Sequence, residues 1–365
     1  MKICYLAPAS SVHTVRWVNA LANYGYEVHL VSMHDFGINR YNKQVSIYNL
    51  SINPPLGYYI NYLAAKKIIS SIQPDIIHTH YASGYGTLSR FLNYYPTLLS
   101  VWGSDVYEFP YKNVLNKKII EKNLHAADYI SSTSNAMKSQ IEKLTDNAVL
   151  IEVIPFGINL EKFYSYNETK ENDIITIGTV KSLEHKYGIE YLIKAIRVLI
   201  DKLKDEKRHR IAKNIRLLII GGGSEKQKYK NMVIDYGLKN ISKITGAVPH
   251  KEVPKYLNML DIYCAPSRQE SFGVAVVEAS ACELPVVVSD VGGLPEVVDD
   301  RKTGLVFPSG NYKKLATLLY ELVINKTVRD VYGKNGRKKV VEMYNWEKNV
   351  QQMIALYEKI IQSRR

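Results

Sequence analysis

Two carboxylates lie eight residues apart in an otherwise apolar part of the chain. Glu270 belongs to a polar turn, and Glu278 lies among the valines and alanines of a predicted buried helix over 274–282. An ionised carboxylate in such a setting is costly unless a cation or hydrogen bonds compensate its charge. The adjacent hydroxyls of a sugar or a ribose are one natural partner. The alternative is that Glu270 is a helix-start acid and that Glu278 pairs with a core Arg or Lys.

The start of that helix offers a second kind of contact. The backbone N–H groups of Phe272, Gly273 and Val274 open the helix, next to the side chain of Ser271. Because the first N–H groups of a helix have no carbonyl partner within it, they form a favourable site for phosphate oxygens. A diphosphate at the helix start, with one carboxylate at the sugar on each side, describes a nucleotide-sugar site.

The same stretch resembles the E-x7-E region of the retaining family 4 glycosyltransferases. The residues that carry the resemblance are Glu270-Ser271-Phe272-Gly273, Glu278-Ala279, Pro285-Val286-Val287, Val291-Gly292-Gly293, Pro295-Glu296-Val297-Val298 and Thr303-Gly304-Leu305-Val306. The resemblance implies an α/β protein with the GT-B fold, in which two Rossmann-like domains face each other across a cleft. It also implies that Glu278 binds the ribose and Glu270 the donor sugar.

Predicted strands alternate with predicted helices along both halves of the chain, which indicates parallel sheets covered by helices. The predicted strands are 3–6, 28–33, 75–80, 98–101, 129–133 and 150–155, followed by 174–177, 216–220, 241–245, 261–265 and 286–289. We expect an N-terminal acceptor-side domain over 1–160 and a C-terminal nucleotide-sugar-binding domain over 161–345. The tail, 346–365, has apolar residues at helical spacing, and the resemblance implies that this helix crosses back to the N-terminal domain.

Two lysines follow the first strand of the second half, at positions 181 and 186. Cations there would offset the charge that builds up on a departing diphosphate. Related transferases have Gly-Arg in this loop and then a Lys before Gly. Lys186 matches the second position, whereas Thr179 stands at the usual Arg position, so that either Lys181 replaces the Arg or the pattern has changed. The alternative is that both are solvated loop lysines.

A glycine-rich turn, Gly221-Gly222-Gly223, follows another strand of the second half. It would either cradle a phosphate or simply connect a strand tightly to a helix. The resemblance places Gly222 and the Val248 backbone at the base pocket. The third glycine of a dinucleotide fingerprint is missing, which counts against a nicotinamide-dependent oxidoreductase.

Candidate residues of the N-terminal domain follow its strands. Ser11 lies in the loop where many relatives have paired glycines at the donor phosphate, and His13 either faces the acceptor or caps the next helix. We expect one of His78 and His80 to point into a core face and the other away, with His80 at the acceptor. Without an acid or Cys partner, this pair is a poor candidate for a metal site.

The segment Trp102-Gly103-Ser104-Asp105 resembles the family's H-G-S-D, with Trp102 in place of the cleft histidine. An indole can stack on the face of an acceptor sugar. Asp105 is expected to hydrogen-bond acceptor hydroxyls. The replacement also leaves open a catalytically silent GT-B subunit that binds nucleotide sugar without transferring it.

The chain of 365 residues has a formal charge of +13, which favours phosphate-bearing partners or an anionic membrane surface. Its basic residues are not interleaved with exposed aromatics in a recognisable module, so nucleic acid is not an expected partner. The basic segment 111–122 is the candidate for membrane docking. Three cysteines without metal spacing, and an N-terminal apolar run of about six residues that favours a first strand over a signal peptide, are typical of a cytoplasmic protein.

Taken with the resemblance, these features predict a retaining transferase that moves a hexosyl unit from a UDP- or GDP-linked sugar to a hydroxyl. The expected acceptor is a lipid-linked or polysaccharide glycan of the cell envelope, at the inner face of the membrane. No covalent nucleophile is evident, and the resemblance implies front-face substitution without metal or other cofactor. Another GT-B reaction, such as sugar-nucleotide epimerisation, is a further alternative.

Overall fold

The computed structural model describes residues 1–35, 37, 40–166 and 173–363. The last two residues of the predicted tail therefore lie outside the described part. The chain divides into two compact units: unit 1 comprises Met1–Pro155 and Glu347–Arg365, and unit 2 comprises Phe156–Trp346. Within the described part, no helix is long and apolar enough to cross a bilayer.

Unit 1 is built on a parallel sheet. The strands are β1 (Lys2–Leu6), β2 (Glu27–Ser32), β3 (Ser46–Asn49), β4 (Ile76–His80), β5 (Thr97–Ser100), β6 (Tyr129–Ser132) and β7 (Ile151–Val153). The helices between them are α1 (Val12–Asn23), α2 (Gly57–Ile60), α3 (Tyr62–Ile72), α4 (Gly84–Leu92), α5 (Ser104–Tyr107), α6 (Val114–His125) and α7 (Asn135–Thr145). Among the described residues, seven strands pair in the order β3-β2-β1-β4-β5-β6-β7, as in a doubly wound fold.

Unit 2 repeats the plan with a second parallel sheet. Its strands are β8 (Ile175–Val180), β9 (Ile215–Ile220), β10 (Ser242–Ile244), β11 (Ile262–Ala265), β12 (Val286–Ser289) and β13 (Gly304–Phe307). Its helices are α8 (Ile189–Asp205), α9 (His209–Asn214), α10 (Lys226–Asp235), α11 (Val253–Asn258), α12 (Val274–Ala281), α13 (Leu294–Val297), α14 (Tyr312–Ile324) and α15 (Lys326–Met343). In the part of the chain that is described, the order is β10-β9-β8-β11-β12-β13.

The last helix, α16 (Trp346–Gln362), belongs to unit 1. Its apolar stripe is buried there, and it includes Val350, Met353 and Ile360. The i, i+3, i+4 spacing of these residues gives the helix one apolar face, and burying that face against the rest of unit 1 is what stabilises it.

A chain of buried hydrogen bonds joins α16 to the sheet. The hydroxyl of Tyr357 lies 2.8 Å from that of Tyr5 and 2.6 Å from Nδ1 of His78. Nε2 of His78 lies 2.6 Å from Oγ of Ser100, which in turn lies 2.5 Å from Oγ of Ser131. Burial lowers the pKa of His78 to about 3. The neutral ring can therefore donate at one nitrogen and accept at the other.

The expectation that His78 and His80 point to opposite sides of their strand is wrong. Residues i and i+2 of a strand share a face. The two rings meet edge to face with their centroids 4.9 Å apart, and both residues are fully buried beside Tyr5. Both histidines are therefore core residues of unit 1.

Replacing Tyr357 by Phe should destabilise the protein by about 1–3 kcal/mol, because the buried partner groups on Tyr5 and His78 lose their hydrogen bonds. Urea unfolding measures this free energy. The same change at the exposed Tyr59 is the control and should shift it by less than about 0.5 kcal/mol. Equal effects of the two changes would contradict the structural role of this hydrogen-bond chain.

Candidate active site

Five loops of unit 2 meet at one edge of its sheet. They follow β10, β9, β8, β11 and β12, which are neighbours in the sheet in that order. Because the carboxyl ends of parallel strands share one edge, residues far apart in sequence come together there. The predicted donor-site residues of this unit, from Lys181 to Glu278, lie on these loops and on α12.

The structure brings Lys181 and Glu270 into an ion pair. Nζ of Lys181 lies 2.6 Å from Oε2 of Glu270, and their side chains are only 18% and 11% exposed. The ammonium group also lies 4.3 Å from the ring centroid of Tyr187. Burial alone would lower the pKa of Lys181, but the nearby Glu270, Tyr187 and Glu278 together raise it. Lys181 is therefore a fixed cation at this edge of the sheet.

The loop of Lys181 is tied to the loop of Glu270 at a second place. The carbonyl of Lys186 accepts hydrogen bonds from the backbone N–H groups of Arg268, at 2.8 Å, and Gln269, at 3.2 Å. The guanidinium of Arg268 pairs with the buried Glu190 and lies 4.4 Å from the ring centroid of Tyr191. Arg268 and Glu190 thus position the turn that carries Glu270, a role that sequence reasoning missed.

The side chain of Lys186 lies beside Glu184, in the same loop. Its Nζ is 3.5 Å from Oε2 of Glu184 and 5.3 Å from the ring centroid of Tyr187. The ring of Tyr187 therefore lies near two ammonium groups, at 4.3 Å from that of Lys181 and 5.3 Å from that of Lys186. Thr179 is buried within β8, so the cation nearest to Glu270 in this loop comes from position 181.

Close backbone packing fixes the position of the Glu270 backbone. A Cβ on Gly292 would lie 1.6 Å from the carbonyl oxygen of Glu270, and one on Gly293 would lie 2.8 Å from Cα of Phe272. Gly292 also has a φ of +53°, in the region that favours glycine. The two glycines of the loop after β12 therefore let it lie directly against the turn of Glu270.

The glycine-rich turn after β9 supports Lys181 in the same way. A Cβ on Gly221 would lie 1.8 Å from the carbonyl oxygen of Lys181, and the N–H of Leu183 donates to the carbonyl of Gly222 at 2.8 Å. Gly222 also borders the loop after β10, because its Cβ would lie 3.1 Å from that of Ala247. The turn is a tight connection, and its predicted role at the base pocket, with Val248, stays a prediction.

Glu278 is buried, but its partner is not the core Arg or Lys of the alternative hypothesis. Oε1 of Glu278 lies 2.9 Å from Nε2 of His250, and the two side chains are 8% and 71% exposed. Burial of Val276, Val277 and Ala279 leaves the carboxylate on an otherwise apolar helix. The contact was not evident from the sequence, although His250 is only two residues beyond the predicted base-pocket residue Val248.

The predicted phosphate site lies at the start of α12. Gly273 precedes the helix with a φ of +111°, and no side chain of the described residues caps it. Its carbonyl accepts from Val276 and Val277. The N–H groups of Val274 and Ala275, the first two residues of the helix, thus have no carbonyl partner within it. The side chain of Phe272 instead packs into the core, against Phe156.

In unit 1 the predicted acceptor residues gather around Trp102. The indole stacks on the ring of His13 with centroids 5.2 Å apart, and the ring of His80 meets it edge to face at 4.9 Å. Nδ1 of His80 lies 3.2 Å from Oγ1 of Thr14. The N-cap residue of α1 is Ser11, so that His13, one position inside the helix, does not cap it.

Burial sets the charge state of the two histidines beside Trp102. It lowers the pKa of His13 to about 4, with a smaller contribution from Arg16, and it lowers the pKa of His80 well below its usual value. Nε2 of His80 has no hydrogen-bond partner among the described residues. Both rings are therefore neutral near pH 7.

Asp105 shapes the loop around Trp102. Its buried carboxylate accepts from the backbone N–H groups of Ala82, at 2.9 Å, Trp102, at 3.2 Å, and Gly103, at 2.8 Å. Burial raises the pKa of Asp105, and these N–H groups offset the rise only in part. The structure thus shows Asp105 as a residue that positions the loop, and its predicted contact with acceptor hydroxyls stays a prediction.

Comparison with known proteins identifies the family. The family model for glycosyl transferases group 1 matches residues 162–339, and the one for glycosyl transferase 4-like proteins matches residues 2–134. An uncharacterized glycosyltransferase of Methanocaldococcus jannaschii is 31% identical over 342 residues, which cover 92% of this chain and 90% of that protein. The chain belongs to the group 1 glycosyltransferases. The predicted resemblance is confirmed.

Two other proteins are similar to this transferase, one in sequence and one in structure. It is 25% identical to the capsular polysaccharide biosynthesis glycosyltransferase CapM of Staphylococcus aureus, over 88% of each chain. It is similar in structure to Anabaena Alr3699/HepE, with a TM-score of 0.81 for the UDP complex at 15% identity, over 98% of this chain and 100% of that chain. For the UDP-glucose complex the TM-score is 0.78. The transferase has the predicted GT-B fold of two Rossmann-like α/β units.

Changing Gly292 to Ala should destabilise the transferase by about 3 kcal/mol or more, because the new methyl group collides with the backbone of Glu270. Gly237 is a matched control. It also has a positive φ, +66°, but no atom of the described residues lies within 4 Å of the position that a Cβ would take there. Its change to Ala should lower the free energy of unfolding by about 1–2 kcal/mol. Equal losses in urea unfolding would contradict the support of Glu270 by Gly292.

Proposed function

We propose that this glycosyltransferase is a retaining enzyme that moves a hexosyl unit from a UDP- or GDP-linked sugar to a hydroxyl group. The observation that carries the proposal is the ion pair of Lys181 and Glu270. Glu270 lies four residues before the first residue of α12 and eight residues before the buried Glu278. This arrangement offers a cation and free N–H groups for a diphosphate. It also offers two carboxylates for hydroxyl-rich groups.

In this proposal the diphosphate binds at the first turn of α12. The N–H groups of Gly273 and Val274 and the hydroxyl of Ser271 donate to its oxygens, and the helix dipole favours its charge. Glu278 accepts from the ribose hydroxyls, in place of or beside His250. The loops that carry Gly222 and Val248 border the base.

Glu270 holds the transferred sugar. Among the described residues, its carboxylate takes a side-chain hydrogen bond only from Lys181, at Oε2, which leaves Oε1 for sugar hydroxyls. A carboxylate neutralised by an ammonium group 2.6 Å away is a weak nucleophile. This geometry supports a carboxylate that binds the sugar rather than one that attacks it.

The chemical step that we propose is front-face substitution. The bond between the anomeric carbon and the diphosphate oxygen breaks, and the acceptor oxygen bonds to that carbon on the same face. The acceptor proton passes to the departing diphosphate. Lys181 and Lys186 stabilise the negative charge on the leaving group. In this proposal these cations and the helix start replace a metal ion.

Unit 1 supplies the acceptor contacts in this account. Because His13 stacks on Trp102, the indole is held rigidly and can offer its remaining face to a sugar ring. The contact of Ser11, which follows β1, with a phosphate of the donor stays a prediction. His80 meets the indole edge to face, and Asp105 accepts from the backbone N–H of Trp102, so both position the indole in this account. Their direct contact with the acceptor stays a prediction.

The proposed acceptor is a lipid-linked or polysaccharide glycan of the cell envelope, at the cytoplasmic face of the membrane. CapM supports a polysaccharide acceptor, since its name assigns it to capsular polysaccharide biosynthesis. The complexes of HepE with UDP and UDP-glucose support a UDP-linked donor. The net charge of +13 favours substrates that carry phosphate.

A panel of nucleoside diphosphates and their sugars tests this proposal through thermal unfolding. At 100 times its dissociation constant, a ligand stabilises the protein by about 2.7 kcal/mol. We expect one nucleotide sugar to raise the Tm of the wild type and of Glu342→Ala, an exposed control in the same unit, but not that of Glu278→Ala. If no nucleotide or nucleotide sugar shifts the wild type, the proposed donor site is wrong.

A further inference from the structure

A stripe of large apolar side chains faces outward on unit 1. Leu56, Tyr59, Ile60 and Leu63 are 64%, 43%, 53% and 63% exposed, and they run through α2 into α3. Their spacing of i, i+3, i+4 and i+7 is the one that normally faces a protein core. The opposite side of α3 is the buried one, with Ala65, Ile69 and Ile72 in the core.

The stripe continues onto α4 through aromatic contacts. The ring of Phe91, which is 42% exposed, lies 6.1 Å from that of Tyr59 and 6.3 Å from that of Tyr62. The guanidinium of Arg90 lies 4.8 Å from the centroid of the Phe91 ring. We call this surface the α2–α4 patch; it comprises Leu56, Tyr59, Ile60, Tyr62, Leu63 and Phe91.

The chain around the α2–α4 patch is basic and almost without acids. Between positions 36 and 104 the sequence has five cationic residues, Arg40, Lys43, Lys66, Lys67 and Arg90, and one acid, Asp75. The carboxylate of Asp75 is engaged, because Oδ2 accepts from the backbone N–H of Lys2 at 2.7 Å. Lys66 and Lys67 are exposed on the next helical turn of α3, three and four residues after Leu63.

We propose that the α2–α4 patch docks on an anionic lipid bilayer. Aliphatic side chains enter the boundary of the acyl chains, Tyr and Phe rings lie at the headgroup level, and the lysines meet anionic headgroups. Lys and Arg side chains suit such a surface because their aliphatic parts can lie along apolar groups while their charged ends reach water or headgroups. The inference rests on the proposed function, in which the acceptor is held at a membrane.

Charge favours a bilayer over a second copy of this chain. In a symmetric dimer both copies contribute the same surface, so a contact through the α2–α4 patch would bring together two surfaces of like charge, each with Lys66 and Lys67. The basic segment 111–122 is a weaker surface. Its exposed apolar residues are Tyr111, Val114 and Leu115, and Lys117 pairs with Glu121 at 3.6 Å.

Sedimentation of the full chain with vesicles tests the inference. The vesicles are phosphatidylcholine alone, or equal parts of phosphatidylcholine and phosphatidylglycerol. The wild type should bind only the anionic vesicles. Leu56→Ser with Leu63→Ser should weaken binding on the order of tenfold or more, and Lys66→Gln should weaken it about fivefold. The matched control, Val114→Ser with Leu115→Ser on α6, should keep wild-type binding.

Three results would overturn the inference: a wild type that does not bind anionic vesicles, loss of binding in the α6 variant but not in the patch variant, or a wild-type dimer that the patch variant converts to a monomer. Circular dichroism and nucleotide-induced thermal stabilisation check that the patch variant is folded. Because those nucleotide shifts do not depend on vesicles, failure of the membrane inference and failure of the proposed donor site give different results.

Discussion

The attraction between Lys181 and Glu270 is the interaction on which the rest of the site depends. It joins the loops after β8 and β11, two neighbouring strands, across 2.6 Å in a mostly buried place. Removing one partner would leave the other charge buried and uncompensated, which is far costlier than the pair itself. Close backbone contacts support this geometry, because Gly292 packs against the carbonyl of Glu270 and Gly221 packs against that of Lys181.

The two carboxylates of the site lie in different environments. Glu270 is neutralised by a fixed cation, whereas Glu278 meets an imidazole that is largely exposed to solvent. Ligand hydroxyls can displace or join a solvent-exposed imidazole more easily than a buried ammonium group. The arrangement therefore suits Glu278 for binding the ribose, which must be released after each reaction. It suits Glu270 for orienting the hydroxyls of the transferred sugar beside the charge that develops in the reaction.

Local pattern sufficed to predict much of this architecture. The alternation of apolar segments indicated two parallel sheets, and the predicted helix over 274–282 is close to the observed Val274–Ala281. The sequence missed β3 and β13, two short strands at sheet edges. The residues of β3 are only partly buried and polar at both ends, and β13 begins with Gly304, so neither forms a run of four apolar residues that indicates a buried strand. It also missed the pairs of Glu278 with His250 and of Arg268 with Glu190. Those contacts are set by the order of the strands, which brings together residues 28 and 78 positions apart.

The stereochemistry of transfer tests the central claim most directly. Proton NMR of the product formed from an α-linked nucleotide sugar and a simple alcohol acceptor gives the configuration at the anomeric carbon. Front-face substitution predicts that the new glycosidic bond is α, as in the donor. A β-linked product would contradict the account, because it requires attack from the opposite face of the sugar and a base to take the acceptor proton.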